Sequence, residues 1–369
     1  MKKKRLLSWL LAAATGLSLH YLLLILGCLT AKGDLYPASF LALLTERLTA
    51  PGDAIRYLDI SANGYTAAGE NAINLVFYPL YPYLVRLLSL GTGQYALAGV
   101  ILSQLCYAGA CGFLYELLRL DCDGKAAYGG VLLMSAWPFS MFVMGVYSES
   151  LFLLLSIACL YFMRRDQMPL AGVLGFLAAL TRVQGMLLIF PMVYAAARRL
   201  CRGGRFRGRD LCALLPVGGF GVYLLINYAL HGNPFQFLAF EAGDPWFQTT
   251  QWVGKTLYDQ AHMITEHPGL APYIYWPQLI LFFAAALTLL WGIAKKAPVE
   301  YMLYGAAYLG FTYLSGWMIS GGRYMLGCVP LFLILSQVRR PAFRYILFAA
   351  EGMLFFFYSL LFLLGYAIM

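Results

Sequence analysis

Charged residues are scarce in this sequence. Only 12% of its 369 residues are Asp, Glu, Lys or Arg, whereas 61% are hydrophobic and the mean hydropathy is +0.70. Soluble domains have roughly 25% charged and 45 to 50% apolar residues. The deficit of charge excludes a soluble fold, and we interpret residues 1 to 369 as a single transmembrane domain.

Patterns that mark metal sites, disulfide frameworks and nucleic-acid binding are also missing. The eight cysteines and four histidines show no metal-ligand spacing. The cysteines fall in apolar runs or in predicted cytoplasmic connections, so we expect no disulfides, no structural zinc and no cofactor; a divalent metal on external carboxylates stays open. The 26 basic residues form short clusters instead of one face, which excludes nucleic acid as a partner.

Long apolar runs dominate the rest of the sequence. About eleven segments are long enough to cross, or nearly cross, a hydrocarbon core of about 30 Å. They lie near residues 6–30, 94–118, 126–146, 147–163, 168–181, 183–197, 211–230, 272–294, 299–319, 324–338 and 345–367. The sequence therefore predicts an all-α, polytopic bundle in the lipid bilayer, with the first segment as a retained signal anchor.

The distribution of basic residues orients this bundle. With the basic N-terminus (residues 2 to 5) in the cytoplasm, the predicted cytoplasmic connections hold 19 of the 26 basic residues. A single crossing over residues 168 to 197 would place the basic cluster at 198 to 209 outside. Two short helices fit this bias better, and they meet near Arg182 on the external side.

Two predicted external segments, 31–93 and 231–271, are too long to be simple connections. Segments of this length are usually functional or disordered, and their aromatic content argues against disorder. In the first segment, Gly52 breaks the chain and a helix is predicted from Asp53. Its apolar stripe, expected to lie along the membrane surface, consists of Ile55, Leu58, Ala62 and Tyr65.

Several ionisable residues have two interpretations. Asp53 is either only a helix N-cap or a carboxylate with a chemical task just above the lipid headgroups. Glu149, Arg182 and Arg323 lie near membrane depth, where such groups either pair structurally or serve a function. An external cavity that combines carboxylates for proton abstraction with arginines for an anionic head group is a coherent chemical site.

Four stretches carry a resemblance to a known family. Residues 52 to 88, GDAIRYLDISANGYTAAGENAINLVFYPLYPYLVRLL, resemble the first external loop of the GPI mannosyltransferase 2 (PIG-V) family, whose bacterial members have WDA-xx-YL-x-I-xx-GY followed by FFPLYP. YSESLF at 147–152, TRVQGML at 181–187 and GRYML at 322–326 are similar to later motifs of that family, in the same order. Gly52 stands where the family has tryptophan.

The resemblance implies a GT-C glycosyltransferase that takes a hexose, commonly mannose, from a polyprenyl-phosphate donor on the outer leaflet. The acceptor is a glycan, a lipid or a protein. Asp53 is implied as the general base, and Arg182 and Arg323 as ligands of the donor phosphate. Residues expected to bind or orient the substrates are Arg56, Tyr57, Asp59, Glu70, Glu149, Gln184 and Tyr324.

A transporter or flippase for a lipid-linked sugar is the rival interpretation, because it also needs a membrane cleft and cationic groups for a phosphate. Transporters often contain paired repeats with a binding site near the bilayer midplane. This sequence has no such repeat, and its candidate charged residues cluster on one predicted side. Transfer is therefore favoured over transport.

Overall fold

The computed structural model describes residues 2–30, 46–49, 52–338 and 340–366. Regular structure in these ranges is helical, apart from an isolated β-bridge between Thr250 and Ser315, which confirms the predicted all-α class. Most of the beginning of the first predicted external loop, at 31–45, 50 and 51, lies outside the described residues.

The α-helices of the described residues are given in chain order. They are α1 (Lys2–Thr30), α2 (Asp53–Asn63), α3 (Leu80–Leu88), α4 (Tyr95–Leu118), α5 (Gly124–Ser135), α6 (Glu149–Arg164), α7 (Met168–Ala179), α8 (Ile189–Cys201), α9 (Leu215–His231), α10 (Gln236–Ala242), α11 (Val253–Glu266), α12 (Trp276–Ala294), α13 (Val299–Thr312), α14 (Gly321–Met325), α15 (Pro330–Leu335) and α16 (Pro341–Leu363). 3₁₀ helices occur at Glu70–Val76, Ser140–Met144, Val183–Leu188 and Gly208–Leu214, and a π-helical turn at Ala271–Tyr275.

Two compact units divide the chain. The first comprises Met1–Ala62, Tyr81–Ala158 and Phe332–Ile368, and the second comprises Asn63–Leu80 and Cys159–Leu331. Each unit contains residues that the sequence singled out. The first holds Asp53 and Glu149, and the second holds the two candidate arginines.

The core of the first unit forms where α1 packs along α4 and α16. A Cβ atom added at Gly16 of α1 would overlap the Sγ atom of Cys111 on α4, so glycine allows the two helices to approach closely. One turn further along α1, buried His20 places Nε2 2.9 Å from Ser140 Oγ. Close packing and buried polar pairs therefore connect the long helices of this unit.

The second unit is built around the pairing of α7 with α9. A Cβ atom at Gly219 of α9 would overlap the Phe176 carbonyl oxygen of α7, so these helices also meet through glycine. At another place in this unit, Arg198 of α8 donates to Glu300 of α13 at 2.9 Å. The charged pair joins two helices that also pack against each other.

Five helices are long and apolar enough to cross a membrane, counted over the described residues. They are Arg5–Leu26, Tyr95–Leu118, Gly208–His231, Ala271–Ala294 and Ala342–Leu363. Along α12, one side of the helix exposes four large apolar side chains by more than half: Ile280, Phe283, Leu287 and Leu290. A continuous exposed stripe of this kind needs lipid to cover it, and we infer an integral membrane protein.

The other predicted crossings form shorter or interrupted helices. The helices α5 and α7 have 12 residues each, a length of about 18 Å at 1.5 Å per residue, which is less than a hydrocarbon core of about 30 Å. The predicted number of about eleven spans is therefore not confirmed. The predicted break near Arg182 is confirmed, because α7 ends at Ala179 and the next helix begins at Val183.

The first external loop contains the predicted helix at Asp53–Asn63, but one residue of the predicted stripe lies outside it. Helix α2 ends at Asn63, and Gly64 follows in the left-handed region with φ 78°, so Tyr65 lies outside the helix. The side that packs into the protein consists of Ala54, Tyr57, Ile60 and Ser61, whereas Ile55 is 57% exposed. The helix therefore has a second apolar face that its spacing alone did not reveal.

Candidate active site

Asp53 is the first residue of α2, directly after Gly52. Gly52 has φ +57°, a left-handed conformation that glycine adopts readily and a bulky residue such as tryptophan does not. The Asp53 side chain is partly exposed and lies in the first helical turn, where the helix dipole favours a negative charge.

Tyr57 connects α2 to the YSESLF motif. One turn after Asp53, its hydroxyl donates a hydrogen bond to Ser148 Oγ at 2.8 Å. Ser148 immediately precedes Glu149, which begins α6 and is 4% exposed. The structure thus brings the aspartate-bearing helix and the buried glutamate segment together within the first unit.

The PLYP motif supports the same helix from another side. The Tyr81 ring packs edge-on against the Tyr57 ring at 5.0 Å, and Ser61 donates to the Pro82 carbonyl at 3.0 Å. Tyr81 is itself buried, with its hydroxyl 2.8 Å from Ser103 Oγ. Hydrogen bonds and ring packing therefore hold Tyr57 and Ser61 of α2 and their neighbour Tyr81, and these contacts fix the position of the helix.

Two further candidates share α2 with Asp53. Arg56 follows it by three residues and Asp59 by six, and both side chains are partly exposed. Glu70 differs from them, because it lies exposed at the start of the 3₁₀ helix in the second unit. Its role in substrate orientation stays a prediction.

Arg182 occupies the break between α7 and the 3₁₀ helix Val183–Leu188. Its backbone is extended, with φ −156° and ψ 148°. A Cβ atom at Gly185 would overlap the backbone of Ala178 and Ala179, so the short helix folds directly onto the end of α7. Leu80, at the end of the loop segment in this unit, donates its backbone N–H to the Leu180 carbonyl at 3.0 Å. These contacts fix the position from which Arg182 extends.

The two candidate arginines come from segments that meet. The Arg182 guanidinium carbon lies 5.1 Å from the centre of the Tyr324 ring, a cation–π geometry. Tyr324 follows Arg323, which is 6% exposed on the short helix α14. The Tyr324 carbonyl accepts a hydrogen bond from the Tyr308 hydroxyl at 2.9 Å. Gln184, also buried, lies two residues after Arg182.

Tyr78 is a site residue that the sequence interpretation missed. It is buried and stacks on Tyr223 at 4.0 Å, and its hydroxyl has no hydrogen-bond partner among the described residues. Burial raises the pKa of Tyr78 well above its ordinary value; the charge of Glu241 adds to the rise and that of Arg182 opposes it. The family pattern has phenylalanine here, so the extra hydroxyl was the available signal.

Glu241, on α10 of the second external loop, was missed as well. Burial raises the pKa of its carboxyl from 4.5 to about 7. Nearby, Trp246 of the same loop packs edge-on against Phe77 at 6.0 Å, and the Tyr65 hydroxyl donates to the Phe77 carbonyl at 2.5 Å. The second loop therefore adds an acid and an aromatic side chain to the neighbourhood of Tyr78.

The chemistry of the two sets is complementary. The first unit gathers carboxylates beside a tyrosine and a serine, groups that accept a proton or a sugar hydroxyl. The second gathers two arginines and a tyrosine hydroxyl, which are donors suited to a phosphate. Each set is formed by residues distant in sequence.

Comparison with known proteins gives little identity. No protein-family model matches the sequence, and no curated protein matches it. Among solved structures, the chain is similar to the Archaeoglobus fulgidus oligosaccharyltransferase, crystallised with an acceptor peptide containing the NVT sequon tethered through a disulfide bond. The identity is 13% and the TM-score is 0.43, over 94% of this chain and 55% of that one.

This chain therefore spans about half the length of that oligosaccharyltransferase. Similarity at this level establishes neither a fold family nor a function. Both are inferred below from the residues of this chain.

Proposed function

We propose that this protein is an inverting glycosyltransferase of the GT-C type, similar to the GPI mannosyltransferase 2 family. It transfers a hexose from a polyprenyl-phosphate donor to an acceptor hydroxyl, and mannose is the hexose that we propose first. One observation supports this most strongly: the motif segments contact each other in pairs. Tyr57 bonds to Ser148 of YSESLF, and Arg182 lies over Tyr324 of GRYML.

Asp53 is the general base in this proposal. Its carboxylate takes the proton of the acceptor hydroxyl as the hydroxyl oxygen attacks the anomeric carbon of the donor sugar. The bond between that carbon and the phosphate oxygen breaks, its electron pair stays on the phosphate, and the anomeric configuration inverts. Arg56, Asp59, Glu70 and Glu149 hold the acceptor or neighbouring side chains in position.

Arg182 and Arg323 bind the phosphate. The donor is a phosphodiester with one negative charge, and the departing polyprenyl phosphate gains a second. Guanidinium groups already in place stabilise that added charge without reorganising in the reaction. The buried Tyr78 hydroxyl supplies a further neutral donor, and Gln184 and Tyr324 keep Arg182 in its orientation.

The membrane arrangement belongs to the same proposal. About eleven helices cross or enter the bilayer, the N-terminus lies in the cytoplasm, and both long loops face outside. A Glu70→Cys variant, in which the side chain is exposed, is expected to react with a membrane-impermeant maleimide in intact cells. Reaction only after permeabilisation would overturn this orientation.

The direct test uses purified protein in lipid nanodiscs and radiolabelled polyprenyl-phosphate mannose, glucose and galactose, each with a mixture of glycan acceptors. We expect release of polyprenyl phosphate and a product of inverted anomeric configuration with one of these donors. In sealed vesicles, movement of the intact donor across the membrane without cleavage would contradict transfer and favour the transporter.

A further inference from the structure

The second unit contains a groove whose lining residues have no role in the proposed reaction. Its volume is about 390 Å³, and it is lined by Phe247, Asp259, His262, Met263, Gly316 and Trp317. Small-molecule sites usually measure roughly 300 to 1,000 Å³. The groove is therefore large enough to hold a compact ligand.

Gly316 and Trp317 line one part of the groove and belong to the backbone segment 314 to 318. Each of its five carbonyls accepts a hydrogen bond from residues 248 to 260 of the second loop. The donor–acceptor distances are 2.5 to 3.3 Å. The pairs are the Gln251 backbone N–H to Leu314, Thr256 Oγ1 to Ser315, Gln251 Nε2 to Gly316, Gln248 Nε2 to Trp317 and Gln260 Nε2 to Met318. Gly316 is required here, because a Cβ atom would overlap Thr249 Oγ1.

Helix α11 supplies another part of the lining. Asp259, His262 and Met263 are spaced by three and four residues, so they share one helical face. The His262 ring lies parallel to the Tyr258 ring, and its Nε2 atom is 3.1 Å from Glu266. Both parts of the lining are thus held in place by their own contacts.

The Asp259 carboxylate can accept a hydrogen bond from a ligand. Lys255 and Gln251 both donate to its Oδ2 atom, at 2.7 and 2.9 Å, and these bonds lower the pKa of Asp259. The Oδ1 atom takes no hydrogen bond from a described residue. Because Lys255 balances the charge, the groove offers a hydroxyl acceptor with little net charge.

The rest of the lining is apolar or aromatic. Phe247 is 56% exposed, and Trp317 is partly exposed. The face of an aromatic ring is electron-rich and attracts the weakly positive C–H groups of a pyranose ring, whose hydroxyls project around its edge. A phosphate requires hydrogen-bond donors, whereas Asp259 offers a carboxylate oxygen, which accepts; a sugar hydroxyl can donate to that oxygen.

We propose that this groove binds a neutral hexose residue of a glycan, and that this glycan is the acceptor of the transfer reaction. The first part stands on the groove itself, and the acceptor role rests on the proposed function. Trp317 lies six residues before Arg323 on a continuous segment of the second unit. The residue proposed to contact the acceptor, Trp317, and the residue proposed to bind the phosphate, Arg323, are therefore close in sequence.

The test measures binding to the purified full-length protein in nanodiscs by saturation-transfer NMR and calorimetry. The probes are linear di- to tetrasaccharides of mannose, glucose or galactose, with choline chloride and inorganic phosphate as competing chemistries. We expect saturable binding of a neutral oligosaccharide and none of phosphate. Binding of choline or phosphate without any oligosaccharide would overturn the proposal.

Substitutions locate that binding. Phe247→Ala and Asp259→Asn are expected to weaken oligosaccharide affinity by at least about fivefold, the scale of one lost hydrogen bond or ring contact. Trp252→Ala is the matched control, because Trp252 is 71% exposed in the same loop but does not line the groove. Equal affinities in all three variants and the unmodified protein would contradict the assignment.

The glycosyltransferase proposal and the groove proposal can be refuted by different results. Groove variants are expected to raise the acceptor KM while leaving affinity for the polyprenyl-phosphate donor unchanged, and Arg323→Ala is expected to leave oligosaccharide affinity unchanged. Oligosaccharide binding without any transfer would contradict the glycosyltransferase and support the groove. Transfer without oligosaccharide binding would overturn the groove and support the enzyme.

Discussion

The two units of this protein present their candidate groups by different means. In the first unit, Asp53 and Glu149 each begin a regular helix, and a hydrogen bond between Tyr57 and Ser148 joins those helices. In the second unit, Arg182 lies in a break between helices and Arg323 on a helix of five residues. The two candidate carboxylates of the first unit thus begin regular helices, whereas the two candidate phosphate ligands lie in a break and on a very short helix.

This difference shows how each group is held. A helix fixes the direction of its side chains through backbone hydrogen bonds, and the Tyr57 and Ser61 contacts hold α2 itself in place. An interrupted segment lacks that ladder and depends on tertiary contacts. For Arg182 these are the close approach at Gly185, the hydrogen bond at Leu180 and the Tyr324 ring. The first unit should tolerate local change better than the second.

Loss of the base should have the largest effect. Asp53→Asn keeps the shape of the side chain and removes its proton affinity, so turnover is expected to fall by about 10²- to 10⁴-fold, the usual contribution of a general base. Asp59→Asn on the same helix is the matched variant, with a smaller fall expected. Initial-rate assays with radiolabelled donor measure both, and unchanged turnover in Asp53→Asn would refute the base assignment.

Loss of either arginine should act on binding. Arg182→Ala and Arg323→Ala are each expected to weaken donor affinity by about 10- to 100-fold, the value of a charge-assisted hydrogen bond. Arg202→Ala, at an exposed position of the predicted cytoplasmic cluster, is the control. Normal affinity in both site variants, measured by calorimetry, would show that the phosphate binds elsewhere.

Sequence reasoning predicted the local features of the site. The start of α2 at Asp53 and the break at Arg182 follow from glycine, capping and charge patterns over a few residues. The Tyr57–Ser148 hydrogen bond could not be predicted from local patterns, because those residues are 91 positions apart. Tyr78 and Glu241 were missed for the same reason: the burial of Tyr78 and the desolvation of the Glu241 carboxyl come from tertiary packing. The number of about eleven crossings stays a prediction: five helices among the described residues are long and apolar enough to cross, and apolar content does not reveal where the other runs are interrupted.

A substitution at Gly185 tests the claim that the second unit depends on close contacts. Gly185→Ala is expected to lower the free energy of unfolding by about 1 to 3 kcal/mol, as overpacking does. Gly221→Ala on α9 is the control, because a Cβ atom there meets open space. Thermal unfolding in detergent measures both, and an equal Tm for the two variants would contradict the packing account.

The smallest expected effect is a pH dependence from Glu241. With its pKa near 7, the carboxyl is neutral below that pH and charged above it, near the site proposed for phosphate. Donor affinity should therefore fall by about threefold as pH rises from 6 to 8, a modest Coulombic effect in a partly solvated site. Glu241→Gln should keep the low-pH affinity throughout. A similar pH dependence in that variant would assign the effect to another group.

The same carboxyl affects stability. Its pKa is raised from 4.5 in the unfolded chain to about 7 in the fold, so between these values the folded state binds more protons. Stability should decrease as pH rises through this window, because ionisation is disfavoured by burial. Thermal unfolding of the unmodified protein and Glu241→Gln at pH 5 and pH 8 measures this, and an equal pH response would contradict it.

Donor binding to Asp53→Asn tests the central division of labour most directly. Purified Asp53→Asn and Arg323→Ala are titrated with the polyprenyl-phosphate sugar that the unmodified enzyme turns over, and turnover is assayed in the same preparations. We predict that Asp53→Asn binds the donor within about twofold of the unmodified protein but does not transfer the sugar, whereas Arg323→Ala binds it weakly. Equal loss of donor affinity in both variants would contradict separate roles for the carboxylate and the arginines.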